Sequence, residues 1–103
     1  MSNVPSKKLK DICTELDEPY IIKVIDKENV LYRDLGNGFE FEISGLDNQK
    51  SSFNAIIYVW QIEKYQRRLE TISDIKSLDE LKSHLDATAT KYLNLSISDF
   101  DTI

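Results

Sequence analysis

A chain of 103 residues is of ordinary single-domain size and would bury about two-thirds of the surface its unfolded form exposes, so its core needs no disulfide or metal staple. The formal charge of -5, from 13 basic and 18 acidic residues, is spread over both halves and weighs against nonspecific nucleic-acid affinity, which rests on Lys and Arg displacing counterions. The single cysteine, Cys13, excludes an intramolecular disulfide and a paired-cysteine zinc site, and fits a reducing compartment.

The opening residues lack an apolar h-region and no apolar run approaches about 18 residues, so the sequence predicts neither signal peptide nor membrane span, and hence a cytoplasmic protein. A bias toward Ile, Lys, Asn, Asp and Ser, with few Gly and Pro, suits an AT-rich bacterial or phage genome.

Taken in chain order, Ser6 is placed as an N-cap, and Leu9, Ile12, Cys13 and Leu16 follow at helical spacing until Pro19. The period then changes to two. Residues 20–25 read as a first strand, broken by the polar cluster 26–29, and residues 30–34 as a second. Gly36-Asn37-Gly38 supplies residues that tolerate positive φ, as a tight hairpin demands, and Phe39, Phe41 and Ile43 alternate with Glu40 and Glu42 in a third strand.

After a loop at 44–52, residues 53–62 carry apolar side chains at alternate positions on both sides. Successive side chains of a strand point to opposite faces, so Phe53, Ala55, Ile57 and Val59 share one face and Ile56, Tyr58, Trp60 and Ile62 the other. Each face then needs a cover. The first set is assigned to the core; the second is covered either by the N-terminal helix or by a partner. Residues 67–74 form a fifth strand in which Leu69 and Ile72 break strict alternation, the mark of a bulge or twist. Ten residues at roughly 3.3 Å each would make the fourth strand overhang shorter neighbours in a protruding hairpin. With a four-residue turn, Trp60 would face Leu69 and Ile62 would face Arg67.

Ser77-Leu78-Asp79-Glu80 is a capping box, and Leu78, Leu81, Leu85, Ala89 and Tyr92 lie on one stripe of a final amphipathic helix. The expected fold is therefore α+β, order α-β-β-β-β-β-α: a five-stranded antiparallel meander with an N-terminal and a C-terminal helix packed on it. One domain spans 1–95, followed by a loosely ordered tail at 96–103 that carries Ile97, Phe100 and Ile103.

Chemistry-bearing residues are few. His84 lies at the edge of the last helix's apolar stripe; Asp86 and Glu80 are close in sequence but point elsewhere on the helix, so it reads as a surface histidine instead of a general base. Cys13 lies on an apolar helix face, where a thiol behaves as a small hydrophobe. Glu40 and Glu42 share one strand face, either as a pair that shares a proton or binds a cation, or as the solvated side of an amphipathic strand. Lys7, Lys8 and Lys10 cluster at a helix start and oppose its dipole, which suggests a solvated terminus. No phosphate-loop, dinucleotide, nucleophile-elbow or zincin motif occurs, so no cofactor, metal or small-molecule substrate is implied.

These residues predict a non-enzymatic protein-interaction module, a small regulator or inhibitor that binds another protein or a second copy of itself. Docking would use Tyr58, Trp60, Ile62, Tyr65, Arg67 and Arg68, a mixture of aromatic and arginine anchors. The alternative is a nucleic-acid binder that stacks bases on Tyr58, Trp60 and Tyr65 and holds phosphates with Lys64, Arg67 and Arg68.

Overall fold

Ser6, in extended backbone, accepts a hydrogen bond from the Leu9 amide at 3.1 Å and so satisfies one of the orphan donors that open α1 (Lys7–Leu16). The computed structural model describes residues 4–62 and 66–95. It continues through β1 (Ile21–Ile25), β2 (Glu28–Asp34), β3 (Phe39–Ser44), β4 (Ala55–Gln61), β5 (Arg67–Ile75) and α2 (Leu78–Leu93). The five strands form one antiparallel sheet in sequence order, which is the expected meander. The tail at 96–103, together with Lys64 and Tyr65, lies outside the described residues.

Turn chemistry sets the registers. Asp26 and Lys27 both adopt positive φ, 51° and 69°, and close a two-residue hairpin between Ile25 and Glu28. The polar cluster expected to break the chain is therefore a tight turn, and Glu28 and Asn29 already belong to β2. Gly36 (φ 83°) and Gly38 (φ 96°) make the next turn as anticipated. Between β4 and β5 the register shifts twice: Ala55 and Ile57 pair with Ile75 and Ile72, and Val59 and Trp60 with Glu70 and Arg68. Each shift inserts an extra residue into β5, one of them Leu69, where broken alternation predicted a bulge.

Both helices lie on the same side of the sheet. Phe39, Phe41 and Ile43 of β3 and Ala55, Ile57 and Val59 of β4 form one cluster with Leu9 and Ile12 of α1 and Leu81, Leu85, Ala89 and Tyr92 of α2. All six strand residues are fully buried. A fully buried Phe, Leu or Ile contributes roughly 1.5–3 kcal/mol each, so this one face supplies most of the hydrophobic stabilisation. Tyr92 closes the far end, its ring 5.2 Å from that of Phe39 and its hydroxyl donating to Glu70 Oε1 at 2.9 Å. Ser77 caps α2 as expected, its Oγ accepting from the Glu80 amide at 3.1 Å.

β4 is shorter than its apolar run. Phe53 packs against the core from the preceding loop, so apolar character there reflects burial without strand pairing. β3 accompanies β4 to its end, from Ser44↔Ile56 to Phe39↔Gln61, and the Ile62 amide donates to Gly38 O at 2.9 Å. The expected overhang relative to β3 is thus corrected: the β2–β3 turn runs alongside the end of β4.

The segment between β3 and β4 is fastened to α1. Asp47 Oδ1 accepts from the Ser6 amide at 2.8 Å and Oδ2 from Asn29 Nδ2 at 3.1 Å, while Lys8 Nζ donates to Asn48 Oδ1, Lys50 O and Ser52 O. Burial alone would raise the Asp47 pKa, but its bonds from Ser6 and Asn29 outweigh it and hold the carboxyl below its ordinary range. Lys8 is therefore a fastening residue, where a solvated terminus had been expected. Gly45 starts this segment at φ +89°, and a Cβ there would meet Asn54 O at 2.5 Å. Gly45→Ala is expected to lower stability by about 1–3 kcal/mol through both the left-handed backbone and the clash. A urea titration with a lower midpoint and an unchanged slope checks it; an unchanged midpoint contradicts it.

Candidate partner-binding face

Because the helices share one side, the opposite side of the sheet carries the second apolar set uncovered by either. The registers lay its residues out in rungs. Tyr32, Glu42, Tyr58 and Thr71 are successive neighbours across β2 to β5, and Asp34, Glu40, Trp60 and Arg68 form the next rung. Diagonal neighbours on a sheet face are within reach of long side chains, and the hydrogen bonds here follow the diagonals. Trp60 Nε1 donates to Glu42 Oε1 at 3.1 Å, the Tyr32 hydroxyl donates to Glu40 Oε2, and the Arg68 guanidinium lies 5.5 Å from the Tyr58 ring centroid.

Tyr58 and Trp60 are half-buried and Ile62 is 37% exposed, so all three present apolar surface on this side. The arginines part company. Arg68 pairs opposite Trp60 and belongs to the open face, whereas Arg67 pairs opposite Gln61, on the core side, and donates to Gln61 Oε1 at 3.1 Å. The register guessed from a four-residue turn is thus off by one: Arg68, not Leu69, stands beside Trp60, and its cation rests on a tyrosine ring instead of the indole. Tyr65, the remaining residue of the candidate set, lies outside the described residues.

The β1–β2 turn curls over this face, so that Ile25, Asp26 and Glu28 wall a groove of about 370 Å³ whose other sides are Glu42, Ser44, Tyr58, Trp60 and Arg68. A continuation of the groove along Trp60 adds Glu40 and Gln66. Its volume is at the lower end of the range of pockets that hold small ligands or side chains. Four carboxylates, from Asp26, Glu28, Glu40 and Glu42, line these two stretches. Burial raises the Glu42 pKa first of all, the bond from Trp60 lowers it, and the negative charges of Glu28, Asp26 and Glu40 raise it further. Negative charge thus predominates among the described lining residues, with Arg68 as the cation beside it.

The remaining candidates stand apart. His84 is exposed on α2, in the helical layer, remote from Glu40 and Glu42 on the other side of the sheet. Cys13 is half-buried, its thiol pushed up by burial and directed at Tyr20 O at 3.6 Å. Among the described residues no group of three or more His, Cys, Asp or Glu side chains is arranged to hold a metal ion. Glu40 and Glu42 do share a face, yet each accepts from a different aromatic donor. Sequence reasoning found Tyr58, Trp60 and the two glutamates separately and missed Ile25, Asp26, Glu28 and Tyr32. Only the strand registers join them, and no local pattern marks a turn that curls over a sheet.

Comparison with protein-family models, curated proteins and solved structures finds no match to this chain.

Two measurements check its geometry. A folded-state pKa raised above the unfolded value means that the Glu42 contribution to stability is present below about pH 4.3 and lost as pH rises through the folded value. Glu42→Gln, which keeps an acceptor for Trp60, should therefore gain stability relative to the wild type as pH rises from about 4 to 7. A pH-independent difference in urea midpoint contradicts this. Trp60 is the only tryptophan. Its emission should be quenched by caesium more strongly than by iodide, relative to free indole, because an acidic groove attracts the cation and repels the anion. Equal resistance to both quenchers would mean that Trp60 is enclosed.

Proposed function

We propose that this chain is a non-enzymatic, cytoplasmic interaction protein, a small bacterial or phage regulator or inhibitor, that docks another protein on its open sheet face. The observation that carries this reading is the placement of both helices on one side of the sheet, which leaves Tyr58, Trp60 and Ile62 on the other. Aromatic residues half-buried in a concave, partly apolar surface are the usual anchors of a protein interface.

The charge of the face argues against its competitors. Glu40 and Glu42 sit in the middle of the rungs beside Tyr58 and Trp60, where stacked bases would bring phosphates, so the nucleic-acid reading loses its footing on this surface. Arg67, one of the cations invoked for phosphate, is turned to the core side. Face-to-face pairing of two copies would bring two sets of these carboxylates together, which disfavours self-association here. Among the described residues no helix is long and apolar enough to cross a membrane.

The test is capture of partners from a lysate of the native host by the wild type beside Trp60→Ala, followed by titration of the identified, purified partner. Removal of a central aromatic anchor is expected to weaken binding by about 2 kcal/mol or more, roughly 30-fold. Equal affinity of both proteins for every captured partner would remove the open face from the docking role.

A further inference from the structure

Resting on this docking role, we infer that the groove on the open face receives a lysine or arginine side chain from a basic segment of the partner protein. The floor of the groove is aromatic, formed by Trp60 and Tyr58, and the wall is the overhanging turn with Ile25 and Asp26. An alkyl stem lies well against indole, phenol and isoleucine, and the charged end of such a side chain is attracted to a ring face. The sheet provides this surface whatever its charge.

Charge then selects the occupant. Asp26, Glu28, Glu40 and Glu42 border the groove, and among the described lining residues the cation is Arg68, engaged over Tyr58. Lys23, on the same face of the sheet, is folded over the Tyr32 ring with Nζ 4.1 Å from the centroid. Among the described lining residues the carboxylates therefore outnumber the cations. An anionic or purely apolar segment would leave that repulsion in place, while an incoming ammonium or guanidinium relieves it. A bare metal ion is a poorer occupant, since no three acidic or imidazole groups among the described residues converge on one point. Glu40 and Glu42 also have fixed geometry, each held by an aromatic donor, so little side-chain ordering accompanies binding.

The experiment titrates the full chain with a blocked hexa-arginine peptide, a hexa-lysine peptide and a hexa-glutamate control at low ionic strength, read by Trp60 emission and by calorimetry. At least one basic peptide should bind with an emission change and the acidic control should not. Asp26→Asn and Glu42→Gln should each weaken binding about three- to ten-fold. Asparagine suits the positive φ of 51° at position 26, and glutamine keeps the acceptor for Trp60, so both variants preserve the fold. Asp79→Asn removes the same net charge from exposed α2 and should change affinity less than two-fold. Absence of binding by either basic peptide at millimolar concentration, or equal weakening by Asp79→Asn, overturns the inference. Trp60-dependent capture of a partner with no basic-peptide binding would remove the cationic occupant and leave the docking face standing; loss of both would remove both.

Discussion

The packing of α1 and α2 against a single face of the meander is the constraint from which the other features descend. Phe39, Phe41, Ile43, Ala55, Ile57 and Val59 present one continuous apolar surface, and the stripes of the two helices, Leu9 with Ile12 and Leu81 with Leu85, Ala89 and Tyr92, are buried on it together. Sheets of antiparallel strands tolerate water on one side, so a second layer of helices is unnecessary once one face is covered. The consequence is an open face whose composition is free to serve something other than folding.

Polar fasteners hold the two helices where the core needs them. The Asp47 carboxylate joins the first turn of α1 to β2, and the Lys8 ammonium joins the same helix to three groups of the segment that follows β3. At the other end of the molecule Asn37, at the tip of the β2–β3 turn, donates to the carbonyls of Tyr92 and Leu95 at 2.8 and 3.2 Å. Carbonyls at a helix C-terminus have no intrahelical partner, so a turn side chain here completes the helix and fixes the sheet beneath it. Asp47 and Asn37 both lie in loops, and each satisfies a helix end.

The open face has the opposite economy. Its acidic residues crowd one another around half-buried aromatics, and the raised Glu42 pKa means that its charged form is held there against burial and against neighbouring charge. Folding alone does not call for such an arrangement, since a neutral residue at position 42 would avoid that penalty. Sites that run against stability are commonly sites of use. The helix side of the sheet, by contrast, is packed with apolar residues and Tyr92, whose hydroxyl donates to Glu70.

The sequence by itself determined the number, order and type of the elements, because each is written in local chemistry: Ser6 and Ser77 as caps, Gly36 and Gly38 as a turn, strict alternation in β3, the stripe of α2. It also determined that β4 has two apolar faces and that Leu69 interrupts β5. What only the tertiary structure decided is which cover each face receives, since an amphipathic helix of ten residues carries no mark of the side of a sheet it will bury against. The same holds for the face as a unit. Trp60 meets Glu42 and Arg68 meets Tyr58 through registers set by turns and bulges, and Asp26 reaches the groove through the curl of a hairpin; these are relations between strands, and a one-dimensional pattern records only relations within them.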